Sequence, residues 1–124
     1  MAMEEVEKEV CAAMEKEAEE AIAALKAEKP NPRLALGMLK RMEKADGLGR
    51  FVLMRSEVKA LGKERQLEII GAMEELFVTI EGKIKEAEAM IKGKDYGGAI
   101  SKIKDIIDKI IQQLGWESQL EKAK

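Results

Sequence analysis

The sequence predicts an all-α protein, a four- to five-helix bundle with a long C-terminal antiparallel helical hairpin. Two runs of apolar residues at alternating steps of three and four indicate the hairpin, because that spacing places side chains on one face of a helix. The first run comprises Ile70, Met73, Phe77, Ile80, Ile84, Ala87 and Ile91, and the second comprises Ile100, Ile103, Ile107, Ile110 and Leu114. Both helices are therefore expected to face a common apolar core.

The first two helices are predicted from their start and stop signals. Helix one runs from Glu4 to about residue 26, with an inner side that relies heavily on alanine. Pro30 cannot continue it, whereas Asn31 can cap the next helix and Pro32 suits its first position. We expect this second helix to end at Gly47, since glycine is the usual left-handed terminator.

Three further helices are predicted after that turn. A short third helix ends near Gly62 and is indicated by Phe51, Met54, Val58 and Leu61, which recur at steps of three, four and three. A fourth covers residues 63 to 92 and carries the first apolar run. Asp95 can cap the last helix, which we expect to end at Gly115, with Trp116 folding back on Ile111.

Length and composition favour one helical domain over residues 1–124. Charged residues make up 37% of the chain, and neutral polar side chains are few. Such a surface is common in thermostable proteins, and design practice also fills exposed helix positions with Glu, Lys and Ala. The composition therefore fits a natural protein and a de novo designed one. Interior glycines at 37, 71 and 82, each costing about 1 kcal/mol relative to alanine, favour a natural origin.

The single cysteine, Cys11, favours a reducing compartment, because it cannot form an intramolecular disulfide. It lies in a helical segment, where a partly buried structural side chain is the expected role. No basic start followed by an apolar run marks a secretory signal, and no run of about 18 apolar residues could span a bilayer. We therefore expect a cytoplasmic protein that does not bind membranes.

The residues available for chemistry are limited. The chain contains no histidine, which excludes histidine-assisted nucleophiles and histidine-ligated metal or haem sites. Gly47 and Gly49 lack the following lysine of a phosphate-binding loop and fit a turn. Carboxylate pairs such as Glu74 and Glu75 have the spacing of a solvated helix face. We predict no catalytic residue, no metal site, no cofactor and no enzymatic activity.

Charge is distributed unevenly along the chain. Residues 33 to 65 hold nine basic residues against four acidic ones, a net charge of +5, whereas residues 1 to 28 hold nine acidic residues against three lysines, a net charge of −6. Arginine offers planar bidentate donors to phosphate and carboxylate, so the basic segment is a candidate anion-binding surface. Its candidate residues are Arg33, Arg41, Arg50, Arg55, Lys59, Lys63 and Arg65.

Three interpretations of this charge distribution stay open. In the first, glutamates of helix one pair with the arginines, each surface pair contributing about 0 to 1 kcal/mol. In the second, the basic segment binds nucleic acid or another polyanion, although an aromatic content of 3% leaves few rings to stack on bases. In the third, helix one is a detachable cover over the basic segment.

A second candidate surface is apolar and lies beside the main stripes of the last two helices. It comprises Ile69, Leu76, Met90, Ile106 and Ile111, with residues 51–53. These side chains either contact the first helices within a monomer, or form a dimer interface or a groove for a partner helix.

The sequence thus predicts a non-catalytic helical module that acts in protein–protein interaction or self-assembly, with a homodimer ahead of other partners. An engineered scaffold is a further interpretation of the same pattern. The alternative function is polyanion or nucleic-acid binding through residues 33–65. Salt separates the two, because polyanion binding weakens steeply with added salt and an apolar interface does not.

Overall fold

Four helices form the architecture of the protein, in a computed structural model that describes the backbone of residues 3–124 and the side chains of residues 5–124. Their bounds are Met3–Lys26 for α1, Pro32–Lys59 for α2, Glu64–Lys92 for α3 and Tyr96–Ala123 for α4. No strand occurs within that range. The prediction of an all-α bundle is confirmed, and the helices number four.

Each described helix packs against two others, so that the four form a closed square. α1 contacts α2 and α4, and α3 contacts α2 and α4, whereas neither diagonal pair is in contact. Lys8 near the start of α1 pairs with Glu121 near the end of α4 at 2.8 Å. Arg65 at the start of α3 contacts Gln119 of α4 at 3.2 Å. Adjacent helices therefore run antiparallel, as in an up-down-up-down bundle.

Side-chain caps begin α2 and α4 at the predicted positions. Oδ1 of Asn31 accepts a hydrogen bond from the backbone N–H of Leu34 at 3.1 Å, and Pro32 is the first helical residue. Oδ1 of Asp95 accepts one from the backbone N–H of Gly98 at 2.9 Å. Each cap satisfies a helix-terminal donor that has no partner within the helix. Both predicted caps are confirmed.

α2 is one continuous helix, so the predicted end at Gly47 and the separate third helix are wrong. Gly49 lies on the inner face, and the ring of Phe77 fills the space that a side chain would take: a Cβ there would lie 2.6 Å from Phe77 Cζ. Leu53, also on this face, is fully buried. Burying such a side chain contributes about 1.5–3 kcal/mol, more than the roughly 1 kcal/mol that an interior glycine costs, so the helix continues.

The boundary predicted near Gly62 is correct. Gly62 adopts a φ of 85°, in the left-handed region that favours glycine, and turns the chain between α2 and α3. α4, in contrast, passes through Gly115 and ends at Ala123, so the predicted end at Gly115 is wrong. Trp116 is a helical residue packed against the core. Nε2 of Gln66 donates to the carbonyl oxygen of Ala123 at 3.3 Å and fixes the last turn of α4 to α3.

The core is mainly aliphatic. The predicted stripe of α3 is confirmed as its inner face, since all seven residues are at most 2% exposed. α4 is rotated from the predicted orientation: Ile103, Ile106 and Ile110 are buried, whereas Ile100 and Ile107 are only half-buried. Ile106, assigned to a spare surface from the sequence, therefore lies at the centre of the inner face.

Candidate functional site

The apolar residues predicted as an interface do not form one surface. Ile69 and Ile106 are fully buried in the core. Leu76 and Met90 are partly buried and pack against it, and Ile111 is 53% exposed on α4. Ile69 and Ile106 therefore contact other helices within the monomer, and neither is accessible to a partner.

Two of the predicted anion-binding arginines contact other helices. Nη1 of Arg50 donates to Oε2 of Glu81 on α3 at 2.6 Å. Nη2 of Arg65 donates to Oε1 of Gln119 on α4 at 3.2 Å, and Nη1 of Arg65 lies 3.5 Å from Oε2 of Glu68. The acidic partners of these arginines thus come from α3.

The described side chains of α1 form no ion pair with the basic segment. Burial raises the pKa of Glu17, and this effect outweighs the charge of Arg41, which lowers it. Met14 and Leu25 of α1 are buried in the core, so α1 is an integral helix of the bundle and not a detachable cover.

The remaining basic side chains are exposed. Arg33, Arg55, Lys59 and Lys63 form no ion pair with any described side chain. The guanidinium carbon of Arg55 lies 6.0 Å from the centroid of the Phe51 ring, within the range of a cation–π interaction. Arg33 lines an open pocket at the start of α2. The structure thus spreads the candidate anion-binding residues over several faces, with Arg55 and Lys59 one turn apart on α2.

A continuous apolar surface lies on the outside of α2. Phe51, Met54, Val58 and Leu61 are 54%, 60%, 67% and 71% exposed. Their three-four-three spacing indicated a helix, but the core side of α2 is occupied by other residues, and these four are exposed to solvent. Leu61 lies in the turn after α2, and the three helical residues extend over about 10 Å of helix. With Val78 of α3, which is 53% exposed, they are termed the apolar face.

A groove of about 710 Å³ runs between α2 and α3 beside the apolar face. Met54 and Val78 line it on opposite sides. Gly71 widens it, because a Cβ at Gly71 would meet no atom within 4 Å. The hydroxyl of Thr79 is engaged, since Oγ1 donates to the carbonyl oxygen of Glu75 at 3.0 Å. The groove therefore offers apolar walls and carboxylates to a partner, and no free hydroxyl among its lining residues.

Glu74, which lines this groove, has the carboxyl of Glu57 as a neighbour. Burial, together with a hydrogen bond to the carboxyl of Glu57, raises the pKa of Glu74. Oε1 of Glu74 is buried and has no hydrogen-bond partner. Arg50 is the cation that acts on Glu74, but its guanidinium is already bound to Glu81. The acidic pair thus has no dedicated counter-ion.

Three further acids lie inside the bundle: Glu7 of α1, Asp46 of α2 and Glu117 of α4, each at most 3% exposed. Both carboxyl oxygens of Glu7 and Glu117 lack a hydrogen-bond partner. Burial, then the charge of Glu117, raises the pKa of Glu7 to about 8. Burial, followed by the charge of Glu121, raises the pKa of Glu117 to about 7. Burial, followed by the charge of Glu81, raises the pKa of Asp46 to about 7. These groups retain protons at a pH where exposed carboxyls are ionised.

Cys11 lies among these acids and is 1% exposed. Burial, then the charges of Glu7 and Glu117, raises the pKa of its thiol to about 12. The thiol is therefore protonated and enclosed, as expected of a structural cysteine. No group of three or more Cys, Asp or Glu side chains among the described residues is arranged to hold a metal ion.

Sequence reasoning missed the interior acids, although their register identifies them. Each of the three stands where the three-four alternation of a buried face expects an apolar residue. α2 shows this most clearly, with the inner-face series Ala35, Leu39, Met42, Asp46, Gly49 and Leu53. The position of each acid in the three-four series of its helix would have identified it as buried, whereas its residue type would not.

Comparisons of the chain with protein-family models, with curated proteins and with solved structures give no match. None of the described helices is long and apolar enough to cross a lipid bilayer.

Proposed function

We propose that this chain is a non-catalytic helical module that acts in protein–protein interaction or self-assembly through the apolar face. The observation that carries the proposal is the exposure of five large apolar side chains, between 53% and 71%, on α2, on the turn that follows it and across the groove on α3. Single exposed apolar residues are normal, whereas a contiguous apolar patch rimmed by charge marks interaction sites. Covering such a patch contributes roughly 25 cal/mol per Å² of apolar area removed from water.

The shape of the surface also supports a helical partner. Phe51, Met54 and Val58 of α2 recur with the spacing of a helix-packing stripe, and the adjacent groove can accept side chains from a helix laid alongside. Gly71 permits a close approach to α3, because no side chain projects there. We propose no catalytic role because the polar groups of the groove are carboxylates, Arg50 and Thr79. Arg50 is bound to Glu81, and the hydroxyl of Thr79 donates to a backbone carbonyl.

Sedimentation equilibrium over a concentration series, at low and at high salt, tests the proposal. We expect association that changes little with salt, because apolar burial drives it. Val58→Ser with Leu61→Ser should weaken it. Ile111→Ser is the matched control, since Ile111 is equally apolar and exposed but lies on α4. A chain that stays monomeric to about 1 mM, a limit of about 4 kcal/mol, contradicts self-assembly.

Polyanion binding is the second candidate function. Arg55, Lys59 and Lys63 favour it, because these neighbouring cations have no ion-pair partner among the described side chains. Titration with single-stranded DNA at increasing salt tests it: binding that weakens steeply with salt, and that Arg55→Glu with Lys59→Glu abolishes, would support this function. Binding that is absent at low salt would exclude it.

A further inference from the structure

The two sides of the apolar face carry opposite charges that form no ion pair with any described side chain. At about 100° per residue, Arg55 and Lys59 lie on one side of the line through Phe51 and Val58, and Glu57 lies on the other. Glu74 also lies on this second side, because it lines the groove together with Met54, and Arg50 on the same side is bound to Glu81. The first side is the basic flank, Arg55 and Lys59, and the second is the acidic flank, Glu57 and Glu74.

The heights of these charges along α2 also match. Glu57 lies midway between Arg55 and Lys59 in sequence, about 3 Å along the helix axis from each. A basic flank and an acidic flank at the same height can face each other in two copies of the chain without a shift along the axis. A partner with its own basic row beside an apolar stripe is therefore complementary to this surface, and the chain itself carries such a row.

Symmetry decides which flanks meet. When two copies pack face to face about a two-fold axis parallel to α2, the two α2 helices are parallel, and the basic flank of each lies against the acidic flank of the other. When the axis is perpendicular to α2, the helices are antiparallel, and like flanks meet. Opposite charges beside an apolar seam select helix orientation in the same way in coiled coils.

We propose that the occupant of the apolar face is a second copy of this chain, with the two α2 helices parallel about a two-fold axis, so that Arg55 and Lys59 of each copy lie against Glu57 and Glu74 of the other. This inference rests on the proposed function and specifies its partner and geometry. The apolar residues supply most of the binding free energy, and the flanks determine orientation, because exposed charge pairs contribute little affinity.

Charge reversal tests the arrangement by sedimentation equilibrium at low salt. Arg55→Glu with Lys59→Glu makes both flanks acidic, and Glu57→Lys with Glu74→Lys makes both basic. Each double variant should raise the dimer Kd by about tenfold or more, and the effect should shrink at high salt. The quadruple variant, which exchanges the flanks, should return to within about threefold of the wild-type Kd. It also controls for the lost contact between Arg55 and Phe51.

In the antiparallel arrangement like charges already meet, so the double variants would associate as the wild type does. That result, or a quadruple variant no better than the doubles, overturns the parallel dimer while leaving self-assembly intact. If the wild-type chain is monomeric, both the parallel dimer and the proposed self-assembly are overturned. The two failures are therefore distinguishable in one series of measurements.

Disulfide cross-linking provides an independent measure of orientation. In a parallel dimer Leu61 faces its own copy, so Leu61→Cys should yield a disulfide-linked dimer under mild oxidation, which requires Cα atoms within about 7 Å. Cys11 can stay in place because its thiol is buried. Ile111→Cys, exposed but off the apolar face, should remain monomeric. Cross-linking only between Leu61→Cys and Phe51→Cys in a mixture, and not within Leu61→Cys alone, would indicate antiparallel packing and overturn the proposal.

Discussion

Replacing Glu7 with Gln should stabilise the protein at neutral and alkaline pH. Glu7 lies between α1 and α4 at 3% exposure, with neither carboxyl oxygen hydrogen-bonded. The charged groups around it are Glu117 on α4 and the surface ion pair of Lys8 with Glu121. From α2, Asp46 acts on the neighbouring thiol. A neutral amide of the same size removes the need to bury a carboxylate, and it can donate a hydrogen bond to Glu117.

The direction of the pH dependence follows from the raised pKa. Burial raises the pKa of Glu7 from 4.5 to about 8, so between these values the unfolded chain loses a proton that the folded chain keeps. The contribution of Glu7 to the free energy of unfolding is therefore full below pH 4.5. It falls as pH rises toward 8, by roughly 1.4 kcal/mol per pH unit. Between pH 4.5 and pH 7 this loss of stability amounts to about 3 kcal/mol.

Urea denaturation at a series of pH values measures this effect. Glu7→Gln should unfold with a free energy about 3 kcal/mol above that of the wild type at pH 7, and the two should converge near pH 4. Glu9→Gln is the matched control: Glu9 is exposed on the same helix, two residues away, and its substitution should change stability by less than about 0.5 kcal/mol at any pH.

Two results would refute this reasoning. One is a Glu7→Gln variant no more stable than the wild type at pH 8. The other is a wild-type stability that rises between pH 5 and 8, because the raised pKa values of Glu7, Asp46 and Glu117 all require it to fall. Either result would mean that Glu7 is ionised and solvated in the folded state.

Further predictions concern local packing. Gly49→Ala should destabilise the fold by about 1–3 kcal/mol, because its Cβ would overlap the buried ring of Phe77, whereas Gly47→Ala in the same helix meets open space and should stabilise it by up to about 1 kcal/mol. Equal effects of the two in thermal denaturation would contradict the contact with Phe77. Asp95→Ala should cost about 1 kcal/mol by removing the cap on Gly98 N–H, and Asp95→Asn should restore most of it; an Asn variant as unstable as the Ala variant would argue against the cap.

The features that were predicted correctly depend on residues close together in the chain. The caps at Asn31 and Asp95 form within three residues, and the inner face of α3 follows from helical spacing alone. The turn at Gly62 follows from the freedom of glycine at positive φ. Each is a property of the local chain that packing against other helices leaves unchanged.

The candidate site was predicted only in part. Arg55 and Lys59 were assigned to a candidate anion-binding surface and are exposed, whereas Ile69 and Ile106 were assigned to an apolar surface and are buried. Helical spacing shows that a helix has an apolar stripe, but it does not show which of two stripes faces the core. The partners of that core, supplied by residues far away in sequence, decide the orientation.

The sequence by itself determined the helical class, the caps and the apolar stripes, because these depend on interactions between residues within one or two turns. Only the tertiary structure decided that α2 and α4 pass through their glycines, that Phe51, Met54, Val58 and Leu61 face solvent, and that Glu7, Asp46 and Glu117 are buried. The physical reason is one of magnitude. A glycine costs about 1 kcal/mol in a helix, whereas packing a large apolar side chain across the bundle contributes about 1.5–3 kcal/mol, so contacts between distant segments override the local signal.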